Sequence, residues 1–160
     1  MDHEDLKARL RRIDTSQKSI QDTSGWCRFH RKEYKTVVKI WYQEFSAANV
    51  QRKMALLWLC NDIVQNGRKE GQEFTGEFYQ YLANAIVQLT KGGDAKIHNA
   101  VSRLLSVWKE RLLFGNSGVP TLLKKTGFKM SIGSSSSSQP DFAADPRARS
   151  SPSVAARQKA

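Results

Sequence analysis

Four polar residues interrupt one of the most apolar stretches of the chain, LLWLCNDIVQN at positions 56–66. They are Asn61, Asp62, Gln65 and Asn66. On a helical wheel, at about 100° per residue, they gather on one face together with Trp58, while the aliphatic residues occupy the other. Such a face suits an extended peptide, because amides and a carboxylate can hydrogen-bond its backbone and hydroxyls while the Trp58 ring packs against it. The same groups could equally tie the helix to a neighbouring loop, since buried polar groups are generally hydrogen-bonded.

Two arginines supply a second kind of chemistry in KIHNAVSRLLSVWKERLLF, residues 96–114. Arg103 and Arg111 are eight residues apart, about 80° round a helix, so they lie along one side at a separation of roughly two turns. A planar guanidinium can bind two phosphate oxygens at once, which makes the pair a candidate phosphate site, although charged residues usually mark a solvated face. The predicted apolar face of this helix comprises Ile97, Val101, Leu104, Leu105, Trp108 and Leu112.

Other reactive residue types do not assemble into a recognisable catalytic or metal site. Cys27 and His30 form half of a zinc motif, and a zinc site needs four converging ligands. Asn61-Asp62 has no partner base or nucleophile nearby in sequence, and no glycine-rich phosphate loop is present. Cys27 and Cys60 stand among apolar neighbours, which favours two buried thiols over a disulfide. We therefore expect no enzyme activity, metal or cofactor.

The sequence predicts helices throughout residues 1–130. No proline precedes Pro120, and no segment alternates with a period of two for long. The predicted caps are Ser16, Asn49 and Asp94. Helices are expected at 4–12, 16–30, 32–47, 49–66, 73–90 and 94–114, with a last turn at 120–125. The second of these counts Ile20, Trp26, Cys27 and Phe29 among its larger apolar residues.

Composition and charge divide the chain near residue 130. Residues 1–130 are predicted to form one all-α domain of about seven or eight helices, and the Ser-, Ala-, Pro- and Arg-rich residues 131–160 a disordered tail. The net charge of +11, with a pI near 9.9, lies mainly in the folded part and favours an anionic partner. No stretch approaches the roughly 20 apolar residues of a membrane span, so we expect a soluble intracellular protein.

The segments LLWLCNDIVQNGRKEGQEF and RLLSVWKERLLF, preceded by SQKSIQDTSGWCRFHRKEYKTVVKIWYQEF, resemble the RNA polymerase II CTD-interacting domain, also called the CID or RPR domain. The resemblance covers most of residues 1–130. It implies a right-handed superhelix of the CID/VHS/ENTH-like type. It also implies binding of phosphorylated Tyr-Ser-Pro-Thr-Ser-Pro-Ser heptads in the C-terminal domain of the polymerase's largest subunit. A nuclear role in transcription elongation, termination or RNA 3'-end processing would follow.

The resemblance also assigns roles to individual residues. In such domains Asp62 would accept hydrogen bonds from a β-turn of the peptide, and Arg111 would contact the phosphate on the serine at heptad position two. Arg103 matches a second basic position of the groove. The remaining peptide-binding candidates are Ser19, Ile20, Gln21, Trp58, Asn61, Gln65 and Asn66. Relatives commonly carry Tyr where this chain has Trp58, so any hydrogen bond from the phenol hydroxyl is in doubt.

Two other classes of function remain open from the sequence. Direct RNA binding fits the basic charge, although no exposed aromatic stacking platform is evident. Related superhelical domains serve membrane trafficking, which the ND and KER elements disfavour. We expect the domain itself to be monomeric.

Overall fold

A computed structural model of the chain describes residues 1–70 and 72–131. Within them it contains seven α-helices, a short 3-10 turn at Arg31–Glu33 and no strand, which confirms the predicted all-α class and helix number. The helices are α1 His3–Arg11, α2 Gln17–Phe29, α3 Tyr34–Ala47, α4 Val50–Glu70, α5 Glu73–Thr90, α6 Ala95–Glu110 and α7 Gly118–Thr126. Of the predicted tail, only Ser131 is described; the rest of that prediction lies outside the described residues.

Short polar side chains cap three helices at positions predicted from the sequence. The Ser16 hydroxyl accepts the Ser19 N–H at 3.2 Å, and the Asp94 carboxylate accepts the Lys96 N–H at 2.8 Å. At the start of α4, the Asn49 amide oxygen accepts the Arg52 N–H, also at 2.8 Å. Each bond satisfies a backbone donor that has no partner within its own helix. All three predicted caps are therefore confirmed.

The prediction that Gly67 ends the fourth helix is wrong, because α4 continues to Glu70. Glycine ends a helix well when it takes a left-handed conformation, and Gly67 is not among the glycines with positive φ. The extra turn makes contacts with two neighbours. Glu70 accepts a hydrogen bond from Arg28 of α2 at 2.8 Å, and Arg68 donates to the backbone carbonyl of Arg111 at 3.1 Å. These tertiary contacts favour a helical turn that local sequence does not predict.

The end of α6 was also mispredicted, since the helix ends at Glu110 rather than near Phe114. The N–H of Leu113 bonds the Trp108 carbonyl at 3.1 Å, and the N–H of Leu112 bonds the Lys109 carbonyl at 3.2 Å. This is the pattern of a Schellman motif, with Leu112 at φ 53° where glycine is usual. The assignment of Leu112 to the apolar face is therefore wrong: its side chain is 55% exposed, and Leu113 is buried instead.

Helices two positions apart pack against one another along the chain. α1 contacts α3, α2 contacts α4, α3 contacts α5 and α5 contacts α7. The central helix α4 also contacts α3 and α5, so most of its circumference is covered by protein. Trp41 of α3 shows how tightly these layers fit, because its indole N–H donates to the Leu56 carbonyl of α4 at 2.9 Å. A stacked helical arrangement thus buries α4 on both of the sides that the wheel distinguishes.

Both cysteines are free thiols in the core, as predicted. Burial raises the pKa of Cys27 to about 12 and raises that of Cys60 well above its usual range. Because the thiolate is the reactive form, both side chains are chemically inert while the protein is folded.

We expect neither Cys27 nor Cys60 of the native protein to react with a disulfide-based thiol reagent at pH 8. With a pKa near 12, only about one Cys27 thiol in 10,000 is ionised at that pH. In denaturant both should react within the mixing time, which provides the control. Rapid reaction of either thiol in the native protein would contradict its placement in the core.

Trp108 is fully buried on the inner face of α6, where truncation to alanine should cost about 3–5 kcal/mol of unfolding free energy. We expect Trp108→Ala to lower the melting temperature by roughly 10 °C or more, measured by circular dichroism. Trp108→Phe keeps a ring but loses the N–H, so it should be less destabilised. A Trp108→Ala protein that melts like the parent would show that the inner face of α6 is wrongly assigned.

Candidate functional site

The polar residues of α4 form a ladder, which we define as Asn61, Asp62, Gln65 and Asn66. The structure corrects the expectation that they are displayed on an open face. Asn61 is 0% exposed, Asp62 1% and Gln65 4%, and only Asn66 is partly exposed. A buried polar side chain needs hydrogen-bond partners, so the neighbours of the ladder decide what it can do.

Asn61 links α4 to α6 through its side-chain oxygen. That oxygen accepts the indole N–H of Trp108 at 2.9 Å and the amide N–H of Gln65 at 2.9 Å. Both bonds are buried, where hydrogen bonds are strongest and unsatisfied groups most costly. The interpretation in which the amides tie the helix to a neighbour is therefore correct for Asn61, although that neighbour is a helix rather than a loop.

Asn66 and Asp62 form the second part of the ladder, one turn apart on α4. The Asn66 amide nitrogen donates to the Asp62 backbone carbonyl at 2.8 Å and to its carboxylate at 3.1 Å. The second bond orients the Asp62 carboxylate, and its donor is the partly exposed residue of the ladder. Asn66 is consequently the ladder residue best placed to meet a ligand directly.

Arg111 joins the ladder from the end of α6. Its guanidinium donates to the Gln65 side-chain oxygen at 2.6 Å, and its own backbone carbonyl accepts from Arg68 of α4. Arg111 is the C-cap residue of α6 and is partly exposed, so a cation stands at the rim of a buried polar cluster. Sequence spacing placed Arg111 beside Arg103 but gave no sign of the contact with Gln65.

Arg103 stays on the solvent side of α6, where it is exposed. Eight residues separate it from Arg111, a rise of about 12 Å along a helix. The two arginines therefore begin from backbone positions about two turns apart on α6, and Arg103 is the more exposed of the two.

Trp58 does not lie on an exposed face as predicted, because its ring is only 1% exposed. Its indole nitrogen is buried and has no hydrogen-bond partner among the described residues. In the conformation that the structure shows, the ring packs within the core and cannot lie flat against a ligand at the surface. The helical wheel correctly grouped Trp58 with the polar residues, but it could not show that neighbouring helices cover this side of α4 as well.

The three candidates on α2 are placed differently from one another. Ile20 is 2% exposed and belongs to the core, whereas the side chain of Gln21 is exposed. The Ser19 hydroxyl accepts the Asp14 N–H at 3.1 Å and so helps to shape the loop before α2. α2 packs directly on α4, and Gln21 is the most accessible of these three candidates.

Arg68 is a site residue that the sequence analysis missed. It contacts the end of α6 only because α4 runs past Gly67, and the assumed helix end at that glycine hid it.

No group of three or more His, Cys, Asp or Glu residues within 1–70 and 72–131 could hold a metal ion. In the same part of the chain, none of the helices combines the length and the apolar character needed to cross a membrane.

Comparison with known proteins agrees with the motifs. A family model described as CID domain matches residues 4–122. Regulation of nuclear pre-mRNA domain-containing protein 1B of Homo sapiens is 34% identical over 117 residues, covering 73% of this chain and 36% of that protein. The 1A protein of Gallus gallus is 33% identical over 111 residues, covering 69% of this chain and 41% of that protein.

A more distant relative is CID domain-containing protein 1 of Caenorhabditis briggsae. It is 27% identical over 113 residues, covering 70% of this chain and 36% of that protein. The chain belongs to the CID domain family, as the motifs indicated, because the family model covers residues 4–122. It spans about two fifths or less of the length of these curated relatives.

The shared oxygen of Asn61 leads to a prediction about stability. Asn61→Ala leaves the buried Trp108 N–H without its acceptor, which should cost about 1–3 kcal/mol of unfolding free energy. Asn66→Ala is the matched control, because that amide is partly exposed and should cost less. Urea denaturation of both variants measures the difference, and equal stability of the Asn61→Ala protein and the parent would remove Asn61 from its structural role.

Proposed function

We propose that this domain binds phosphorylated heptad repeats of the C-terminal domain of the RNA polymerase II largest subunit. It would act in the nucleus, during transcription elongation or termination or in RNA 3'-end processing. The domain would do so as a monomeric binding module and not as an enzyme. Membership of the CID family supports a partner of this kind, and the names of the 1A and 1B relatives concern the regulation of nuclear pre-mRNA.

The single observation that carries the proposal is the 2.6 Å contact between Arg111 and Gln65. It places a guanidinium at the edge of a ladder of amides and a carboxylate. A peptide that bonds the ladder through its backbone would bring a phosphoserine towards this cation. Phosphate bound by a guanidinium makes a charge-assisted, two-pronged interaction, which is stronger than a hydrogen bond between neutral groups.

The remaining candidate peptide contacts are accessible positions on three helices. Gln21 is accessible on α2, Asn66 is partly exposed on α4 and Arg103 is exposed on α6. The Asp62 carboxylate is buried. To accept hydrogen bonds from the peptide's turn, it must either be reached by the peptide directly or be exposed by a small movement of the ladder. Asn61 and Trp58 would then support the groove from inside the core.

The trafficking alternative is weaker, because no observation on this chain favours a lipid or a sorting peptide over a phosphorylated heptad. RNA binding by the basic surface remains the runner-up, and a separate observation on α2 bears on it below. Titrations with an unmodified heptad, its phosphorylated forms, a short RNA and acidic liposomes separate the three functions.

Arg111→Ala should weaken binding of a phosphorylated two-heptad peptide by about 1.5–3 kcal/mol, the range for a hydrogen bond to a charged group. Binding of the unmodified peptide should change little, since it lacks the phosphate. Arg111→Lys should restore only part of the affinity, because an ammonium is a point charge without the planar fork. Isothermal titration calorimetry of each variant against both peptides measures these differences.

Lys109→Ala is the matched control, as it removes an equal charge from an exposed position of the same helix that is not proposed to contact the peptide. The melting temperature of each variant shows whether the loss of the Gln65 contact has disturbed the fold. If Arg111→Ala lost the same free energy with both peptides, Arg111 would be a structural residue. If neither peptide bound the parent domain, the proposed function would be wrong.

A further inference from the structure

An exposed aromatic ring lies at the end of α2. Phe29 is 83% exposed, against 44–55% for Val50, Val87 and Leu112, the other large hydrophobic residues described as exposed. From the sequence, Phe29 is one of the larger apolar residues of its helix and no exposed aromatic platform is evident. The structure corrects the second expectation, because the Phe29 ring stands outside the core.

Phe29 is the outermost member of a fixed group of three rings. The His30 ring lies 4.2 Å from the Trp26 ring at 34°, and Phe29 meets His30 edge-on at 5.1 Å and 77°. The His30 Nδ1 atom is 3.2 Å from the Trp26 carbonyl, which holds the imidazole in place. Arg9 adds a cation 4.9 Å from the centre of the Trp26 ring. The exposed Phe29 ring therefore contacts His30, which in turn packs against Trp26.

Uncompensated positive charge lies immediately beyond this ring. Arg31 and Lys32 follow Phe29 in the 3-10 turn, are both exposed, and form no ion pair with any residue that the structure describes. The acidic residues of this end of the fold are already engaged. Glu33 pairs with the amino terminus and Glu70 pairs with Arg28.

We propose that Phe29, Arg31 and Lys32 form a binding site for single-stranded RNA. A base stacks on the Phe29 ring, and the phosphates that flank it contact the two cations. An aromatic face beside unpaired cations matches the alternating bases and phosphates of a single strand, whereas a paired duplex offers no base face to the ring. A hydrophobic protein partner would instead require an apolar rim, and the rim here is cationic.

The choice of RNA over single-stranded DNA rests on the proposed function, because a domain on a transcribing polymerase is close to emerging RNA. The site itself is separate from the predicted peptide groove. Phe29 lies ten residues beyond Ser19 on the same helix, a rise of about 15 Å, while its neighbour Arg28 bonds Glu70 at the end of α4. Phe29 is not among the proposed peptide contacts, so its role in RNA binding can be measured with those contacts intact.

The experiment uses fluorescence polarisation with a labelled 12-nucleotide single-stranded RNA and the chain of 160 residues. Phe29→Ala should weaken binding by at least about 5-fold, and Phe29→Leu by a similar factor, since leucine is apolar but cannot stack. Phe29→Tyr should bind like the parent. Val87→Ala, which truncates an exposed hydrophobic residue on α5, is the matched control and should leave affinity unchanged.

Two further measurements test the role of charge and the preference for single-stranded over double-stranded RNA. Arg31→Ala and Lys32→Ala should each reduce the slope of log affinity against log salt by about 0.7, the value for one phosphate contact on a single strand. A duplex of the same sequence should bind without dependence on Phe29. Since the Phe29 side chain is exposed, each variant should melt at the temperature of the parent.

The proposal is overturned if the parent does not bind the RNA, if Phe29→Ala binds it as the parent does, or if Phe29→Leu retains full affinity. Equal, Phe29-dependent binding of DNA of the same sequence would overturn the choice of RNA. The phosphorylated heptad peptide is titrated in parallel, and its affinity should not change in Phe29→Ala. Loss of peptide binding alone in that variant would assign the ring to the peptide instead. A parent that binds RNA but no peptide would disprove the proposed function and not this site.

Discussion

The side-chain oxygen of Asn61 accepts two buried hydrogen bonds, one from Trp108 of α6 and one from Gln65 of its own helix. Gln65 in turn accepts from Arg111, so a chain of contacts runs from the largest ring of α6 to a cation at its end. Each group in this chain would be costly to bury alone. The relative position of α4 and α6 is therefore fixed by polar contacts as well as by apolar packing.

This arrangement explains how one helix can be both core and candidate site. α4 contacts α2, α3 and α5, and its polar ladder meets side chains of α6, so nearly every side of it is covered. Hydrogen bonds to the ladder hold the side chains of Asn66 and Arg111 in place, which favours binding because less ordering is needed when a ligand arrives. The partly exposed ends of the network, Asn66 and Arg111, are where a ligand can reach it.

The two proposed sites divide the chemistry of the domain between different sets of residues. One uses amides, a carboxylate and a guanidinium where α4 meets α6, and it suits a phosphorylated peptide. The other uses an exposed ring and two unpaired cations beyond the end of α2, and it suits a single strand of RNA. Because Arg28 of α2 pairs with Glu70 of α4, the extra turn of α4 also anchors the end of the helix that carries Phe29.

The sequence by itself determined the all-α class, the caps at Ser16, Asn49 and Asp94, the buried thiols and the family, because these depend on local chemistry and on motifs. Only the tertiary structure decided which surfaces are open. The wheel separates the two sides of α4 correctly, but Trp58 and Asn61 are buried because neighbouring helices cover both sides. Gly67 does not end α4, because contacts of Arg28 and Arg68 stabilise a further helical turn. Leu112 takes the left-handed conformation that is usual for glycine, because a Schellman motif ends α6. Phe29 is one of the larger apolar residues of α2, and only the tertiary structure shows that its ring is exposed, because exposure depends on which neighbouring elements cover that end of the helix.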